Sequence, residues 1–124
     1  HSIARAGGRL SFGSDWPVVS LDPRLGLQVA VNRLSPDGEP AGGWLPEQKL
    51  PLTAAIDAYT SGAAYASFDE QRKGTLEKGM LADIVILSTD IFAAPPERLL
   101  DATVEVTIFG GKVVYNRAQA TRER

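Results

Sequence analysis

The stretch Arg9–Pro23, RLSFGSDWPVVSLDP, decides how the rest of this 124-residue chain is read. Leu10 and Phe12 alternate with Arg9 and Ser11, and Gly13 then turns the chain, so residues 9–13 are predicted to form a short strand running into a loop. That loop opens with Ser14 and Asp15 and breaks at once on Trp16 and Pro17. Two local readings of Asp15 stand. As a carboxylate at the C-terminal end of a strand it stands where α/β folds carry catalytic groups. As an aspartate beside an aromatic–proline pair it caps a turn, the commoner outcome for so short a motif.

Upstream, SIARAGG reads as the last turn of a helix closed by Gly7 and Gly8. Downstream, Asp22 is placed as an N-cap with Pro23 at the first helical position, and Leu25, Val29 and Leu34 are predicted to share an apolar face. SPDGEPAGGWLPEQKLP, residues 35–51, is a long Pro/Gly-rich loop that Trp44 is expected to pin. LTAAIDAYTSGAAYASF, residues 52–68, is the clearest helix, with Thr53 as its cap and Ile56, Tyr59 and Ala63 or Ala64 on the apolar stripe. The pattern then changes: Leu76 sits in an extended piece, Lys78-Gly79 turns, and Ala82 to Leu87 is a continuous apolar strand. APPERLLDA is a brief proline-started helix, and VEVTIFGGKVVYN is a hairpin turning at Gly110-Gly111. Helices fill the first half and most strands come late, so both halves are expected to lean on partners outside the chain.

A hydrophobic share of 44% suits a globular core. A net charge of −2 gives no broad electropositive field, so nucleic acid and anionic membranes are excluded as principal partners. No apolar run reaches the ~20 residues that span a bilayer, and cytoplasm is the expected compartment. The absence of cysteine removes disulfides, thiolate metal sites and cysteine nucleophiles together. His1, the only histidine, is expected to be frayed and cannot build a zinc site alone, and Ser14 lacks a histidine base. Gly110–Lys112 is too short for a phosphate cradle, and Asp83 is expected to cap or pair locally. Trp16 and Trp44 are candidates for lining a pocket beside Asp15. Tyr59 and Tyr65 are packing residues on different faces, and RAQATRER, with Arg117, Arg122 and Arg124, is a solvated tail.

Taken together, FGSDWPV, GGWLPEQKL, AIDAYTSGAAYASFDEQRKGTLEKGMLADIVILSTDIF and VTIFGGKVVY resemble the C-terminal part of the amidohydrolase superfamily, closest to its YtcJ-like branch, amidohydrolase family 3. The likeness runs from Ser2 to Tyr115. It implies an α/β fold: a C-terminal fragment of a metal-dependent (β/α)8 barrel plus part of its composite β-sandwich domain. Residues 1–73 would then be the last barrel strand and flanking helices, 74–117 the β-sandwich portion, and 118–124 a flexible tail. Arg9 to Ser14 would be the eighth barrel strand. Asp15 would be both catalytic residue and metal ligand, shuttling a proton from a metal-activated water to the leaving group, with Trp16 binding substrate. The implied reaction is hydrolysis of C–N bonds in a small-molecule amide or cyclic amide, with a divalent metal, zinc foremost, in the full-length protein and none in this fragment. The implied partners are the missing N-terminal barrel portion and, as a further option, a second copy in a homo-oligomer. The competing reading is a non-catalytic structural or oligomerising module, supported by the lack of a complete metal-ligand set in these residues.

Overall fold

A computed structural model describes residues 1–121; the tail residues Arg122, Glu123 and Arg124 lie outside the described residues. The chain begins with a helical turn, α1 (Ser2–Arg5). Gly8 N–H donates to Ile3 O and Gly7 N–H to Ala4 O, each at 3.0 Å, with Gly7 at φ 83°. This is the double reverse bonding of a glycine-closed helix end, as the GG pair predicts.

Helix α2 (Pro23–Asn32) starts as its sequence dictates: the Asp22 side chain accepts the Arg24 N–H at 3.0 Å, and Pro23 occupies the first turn. Its buried face differs from the expected one. Leu27, Ala30 and Val31 face inward, whereas Val29 is 43% exposed and Leu25 only partly covered. The burial of Gln28 and Asn32 on the same side explains the shift, because Asn32 Nδ2 donates to both Gln28 Oε1 and Pro96 O and so holds these polar groups inward.

The expected long helix is two: α3 (Leu52–Tyr59) and α4 (Ser61–Ala66), broken at Thr60, whose ψ is −90°. Thr60 Oγ1 donates to Ile56 O at 2.8 Å and Ser61 Oγ to Asp57 O at 3.3 Å, and such back-bonding hydroxyls bend helices. Thr53 does not cap; the helix starts one residue before it, with Pro51 at the N-cap and no side-chain bond.

Three strands, β1 (Ile84–Leu87), β2 (Val104–Phe109) and β3 (Lys112–Asn116), form an antiparallel sheet in that order. The β2–β3 turn is the predicted two-residue hairpin, with Gly110 and Gly111 at φ 55° and 78°. Asp83 reaches farther than expected: its Oδ1 accepts the Gly110 N–H at 2.7 Å and so holds the hairpin tip against the start of β1. Register slips at Glu105 on β2 and Val114 on β3 mark bulges. After β3, Asn116 caps a helical turn, α5 (Arg117–Ala120), at the head of the sequence read as a tail. Between β1 and β2 a 3-10 helix, Pro96–Asp101, buries Leu99 against α2.

The core joins Leu27, Ala30, Val31, Leu50, Ala55 and Leu99. It is small. The chain exposes 8790 Å², whereas a folded monomer of 13.3 kDa exposes roughly 6,500 Å². Neighbouring residues of a strand point to opposite faces, so Val85 at 55% and Ile86 at 48% exposure show that both faces of the sheet are uncovered.

Residues 9–14 do not form the predicted strand. Among the described residues the three strands pair only with one another, and the sole backbone hydrogen bond from this segment to a distant element is Phe12 N–H to Ala58 O at 2.9 Å. Without a neighbouring strand there is no ladder to define one. The segment instead lies across the α3–α4 break, where a Cβ on Gly62 would collide with Leu10 O.

Two predictions follow from this packing. Gly62→Ala gains about 1 kcal/mol of helix propensity but forces a backbone carbonyl aside, at a cost of about 1–3 kcal/mol, so urea denaturation is expected to show net destabilisation with amide shifts at Leu10–Phe12. For Asp22, the hydrogen bonds from Arg24 hold the carboxyl below its ordinary value of 3.8, and burial opposes this only in part. A depressed folded value stabilises above the ordinary value and is lost as pH falls through the folded one. Asp22→Asn keeps the cap and loses the charge pair, so it is expected to cost about 1 kcal/mol or less at pH 7, a gap that narrows as denaturation is repeated at pH values progressively below the ordinary 3.8.

Candidate functional site

The candidate site is the turn that carries Asp15 and Trp16. Asp15 O accepts the Val18 N–H at 2.9 Å, and the peptide bond between Trp16 and Pro17 inside this turn is cis. Asp15 itself is left-handed, at φ 47°, a conformation that aspartate tolerates better than most side chains. Its carboxylate is exposed and, among the described residues, forms no ion pair. Neither local reading is met as stated: no strand ends at Asp15, and the turn is closed by its backbone carbonyl rather than by its side chain. Trp16 stands beside it at 64% exposure, with its ring open to solvent.

The other sequence candidates lie elsewhere. Trp44 pins its own loop, as expected. Its N–H donates to Arg33 O at 2.8 Å, its carbonyl accepts Arg33 Nε at 2.9 Å, and the Arg33 guanidinium lies 4.9 Å from its ring centre. Tyr59 packs edge-on against Phe12 at 5.5 Å between ring centres, with burial pushing its phenol up, and Tyr65 lies under the Arg9 guanidinium at 4.0 Å. His1 is not frayed: its Nδ1 donates to Lys49 O at 2.9 Å.

As one oxygen donor, Asp15 suits a divalent cation, since a free carboxylate at an open turn can turn either oxygen outward. Among the described residues no three of His, Cys, Asp or Glu converge to complete a metal site, and no helix is long and apolar enough to cross a membrane. Reasoning from sequence missed Arg24, whose guanidinium holds Asp22 and also reaches Ala102 O; the DPR triplet signals the cap, but nothing local signals a carbonyl 78 residues away.

The Amidohydrolase family profile matches residues 1–115. The protein LONG AFTER FAR-RED 3 of Arabidopsis thaliana is 37% identical over 115 residues, which are 93% of this chain and 19% of that protein. The putative amidohydrolase YtcJ of Bacillus subtilis is 35% identical over 106 residues, 86% of this chain and 20% of its own length. The crystal structure of an amidohydrolase from Thermotoga maritima superposes with a TM-score of 0.69 at 20% identity, over 94% of this chain and 25% of that one. The chain thus spans about a fifth of the length of the curated relatives it matches. With its profile match, its relatives and its mixed helix–strand fold in agreement, the chain belongs to the amidohydrolase family.

Proposed function

We propose that this chain is the C-terminal part of a metal-dependent hydrolase that cleaves C–N bonds in small-molecule amides or cyclic amides. The observation that carries the reading is the exposed Asp15 carboxylate, which forms no ion pair among the described residues, at an open turn in a chain of this family. The exposed sheet faces and the surface excess support the further assignment of residues 1–73 to the end of a (β/α)8 barrel and of the sheet to a composite β-sandwich, each covered by polypeptide outside these residues.

In this reading Asp15 supplies one ligand to a divalent ion, zinc foremost, whose other ligands come from outside the chain. Bound there, such an ion brings the pKa of a water toward 7. Asp15 would take up a proton from the attacking water and deliver it to the leaving nitrogen as the carbon–oxygen bond forms and the carbon–nitrogen bond breaks, so the carboxylate would be regenerated within one turnover. Trp16 offers an apolar wall beside the reacting carbonyl. The same open sheet faces also suit a non-catalytic module that docks on another protein, which is the second reading.

The test compares this chain, a longer protein carrying the barrel, and Asp15→Asn in that longer protein, by elemental analysis and by turnover of N-acyl and cyclic amide panels. Expected are stoichiometric metal and turnover in the longer protein only, and a loss of about 100-fold or more on Asp15→Asn without loss of fold. An unimpaired Asp15→Asn enzyme overturns the assignment of Asp15; a longer protein without metal or turnover favours the docking module.

A further inference from the structure

The loop from Gly13 to Leu21 carries Asp15 and Trp16 yet has little packing of its own. Trp16, Val18, Val19 and Leu21 are all exposed, and among the described residues its backbone hydrogen bonds, Val18 N–H to Asp15 O and Val19 N–H to Ser14 O, close on the loop itself. Its placement is therefore decided where it enters and leaves. At the entrance, Phe12 N–H is tied to Ala58 O on α3.

At the exit, Asp22 and Arg24 form a three-way junction. Arg24 Nε donates to Oδ1 and Oδ2 of Asp22 at 2.8 and 3.0 Å, and Nη2 donates to Oδ2 at 2.5 Å. Nη1 points the other way and donates to Ala102 O at 2.5 Å. Ala102 is buried and lies between the Pro96–Asp101 3-10 helix and β2. Capping α2 needs only the Asp22 oxygen that receives the Arg24 N–H. The bond to Ala102 adds nothing to that cap; it joins the loop's end to the sheet-bearing half of the chain. Only a planar fork can hold a carboxylate along one side and a carbonyl along another.

We infer that Arg24 is a positioning residue: by locking the end of the loop to Ala102 O, it fixes where the Asp15 carboxylate stands relative to the sheet-bearing half. The catalytic meaning of this rests on the hydrolase reading above, whereas the clamp itself does not.

The clamp is tested on this chain by 15N relaxation at the Val18 and Val19 amides and the Trp16 indole. Order parameters near 0.85 are expected for the unaltered chain, falling below about 0.6 in both Arg24→Ala and Asp22→Asn, while Leu27, Ala30 and Ala55 are unchanged. Asp22→Asn retains a capping side chain and so remains informative if Arg24→Ala does not fold. Loop order that is unchanged in these variants, or already low in the unaltered chain, overturns the clamp; so does loosening that appears only together with fraying of the first turn of α2, which is the mark of simple capping. In the longer protein, Arg24→Ala is expected to lower kcat roughly 10- to 100-fold with little change in KM. Unchanged kcat with a loosened loop overturns the positioning role, whereas undiminished turnover in Asp15→Asn overturns the hydrolase reading and leaves the loop result standing.

Discussion

The seating of Leu99 on helix α2 is the contact through which the rest of the molecule is organised. Leu99 is 3% exposed against a face built from Leu27, Ala30 and Val31, and burying a leucine of this kind stabilises by about 1.5–3 kcal/mol. Polar tethers stand at both ends of the same seam. Asn32 Nδ2 donates to Pro96 O at 2.8 Å, and Arg24 Nη1 donates to Ala102 O at 2.5 Å. Helix α2 thus supplies donors to a carbonyl on either side of Leu99, Pro96 O at the start of the 3-10 helix and Ala102 O just past its end. The sheet is thereby hung on the helical half at one short element, with apolar burial in the middle and directional bonds at its margins.

What this arrangement cannot do is cover the rest of the apolar surface. The excess over a self-contained monomer, about 2,300 Å² on this one side, is well above the roughly 800 Å² that each partner buries in a standard interface and is of the size seen in permanent assemblies. It is also unevenly placed. The sheet is open on both sides at Val85, Ile86 and Val113, and the Asp15 loop is apolar and open from Trp16 to Leu21, while the α2–α3 seam between them is closed. A random scatter of exposed hydrophobic residues would be ordinary. Clusters of exposed apolar residues on one loop and on both faces of a sheet are what a segment of a larger domain would show, with the α2–α3 seam closed by the chain itself.

The elements that local chemistry controls were legible in the sequence. Asp22-Pro23 fixes the start of α2, Gly7 and Gly8 close α1, and Gly110-Gly111 makes the hairpin, because each answers to neighbours within a few residues. The misreadings turn on side-chain and backbone contacts that hydropathy patterning does not encode. The helix 52–66 splits because Thr60 and Ser61 turn their hydroxyls back onto carbonyls just where the Leu10–Phe12 segment crosses. The α2 face is rotated because buried Gln28 and Asn32 find amide and carbonyl partners that hydropathy patterning cannot foresee. Residues 9–14 have the alternation of a strand but no partner strand among the described residues, and alternation describes only which side chains could be buried, not what would bury them. At the site, Asp15 stood out because a charge broke an apolar run, whereas Arg24 did not, since its second partner lies 78 residues away.

The residue type at position 15 is more than its conformation requires. A left-handed turn residue at φ 47° is served at least as well by asparagine or glycine, and neither would bring a charge to a loop whose next residues are Trp16, Pro17, Val18 and Val19. The turn uses the Asp15 carbonyl, which accepts the Val18 N–H, and no positively charged side chain among the described residues pairs with its carboxylate. Asp22 makes the contrast plain: its carboxylate caps α2, binds Arg24 and is held below its ordinary pKa by those bonds, so its charge is consumed by the fold. Two aspartates seven positions apart thus answer to different demands. One is spent on structure. The other is carried by a turn that fixes its backbone and leaves its oxygens available, the condition a carboxylate must meet before it can hold a cation or move a proton.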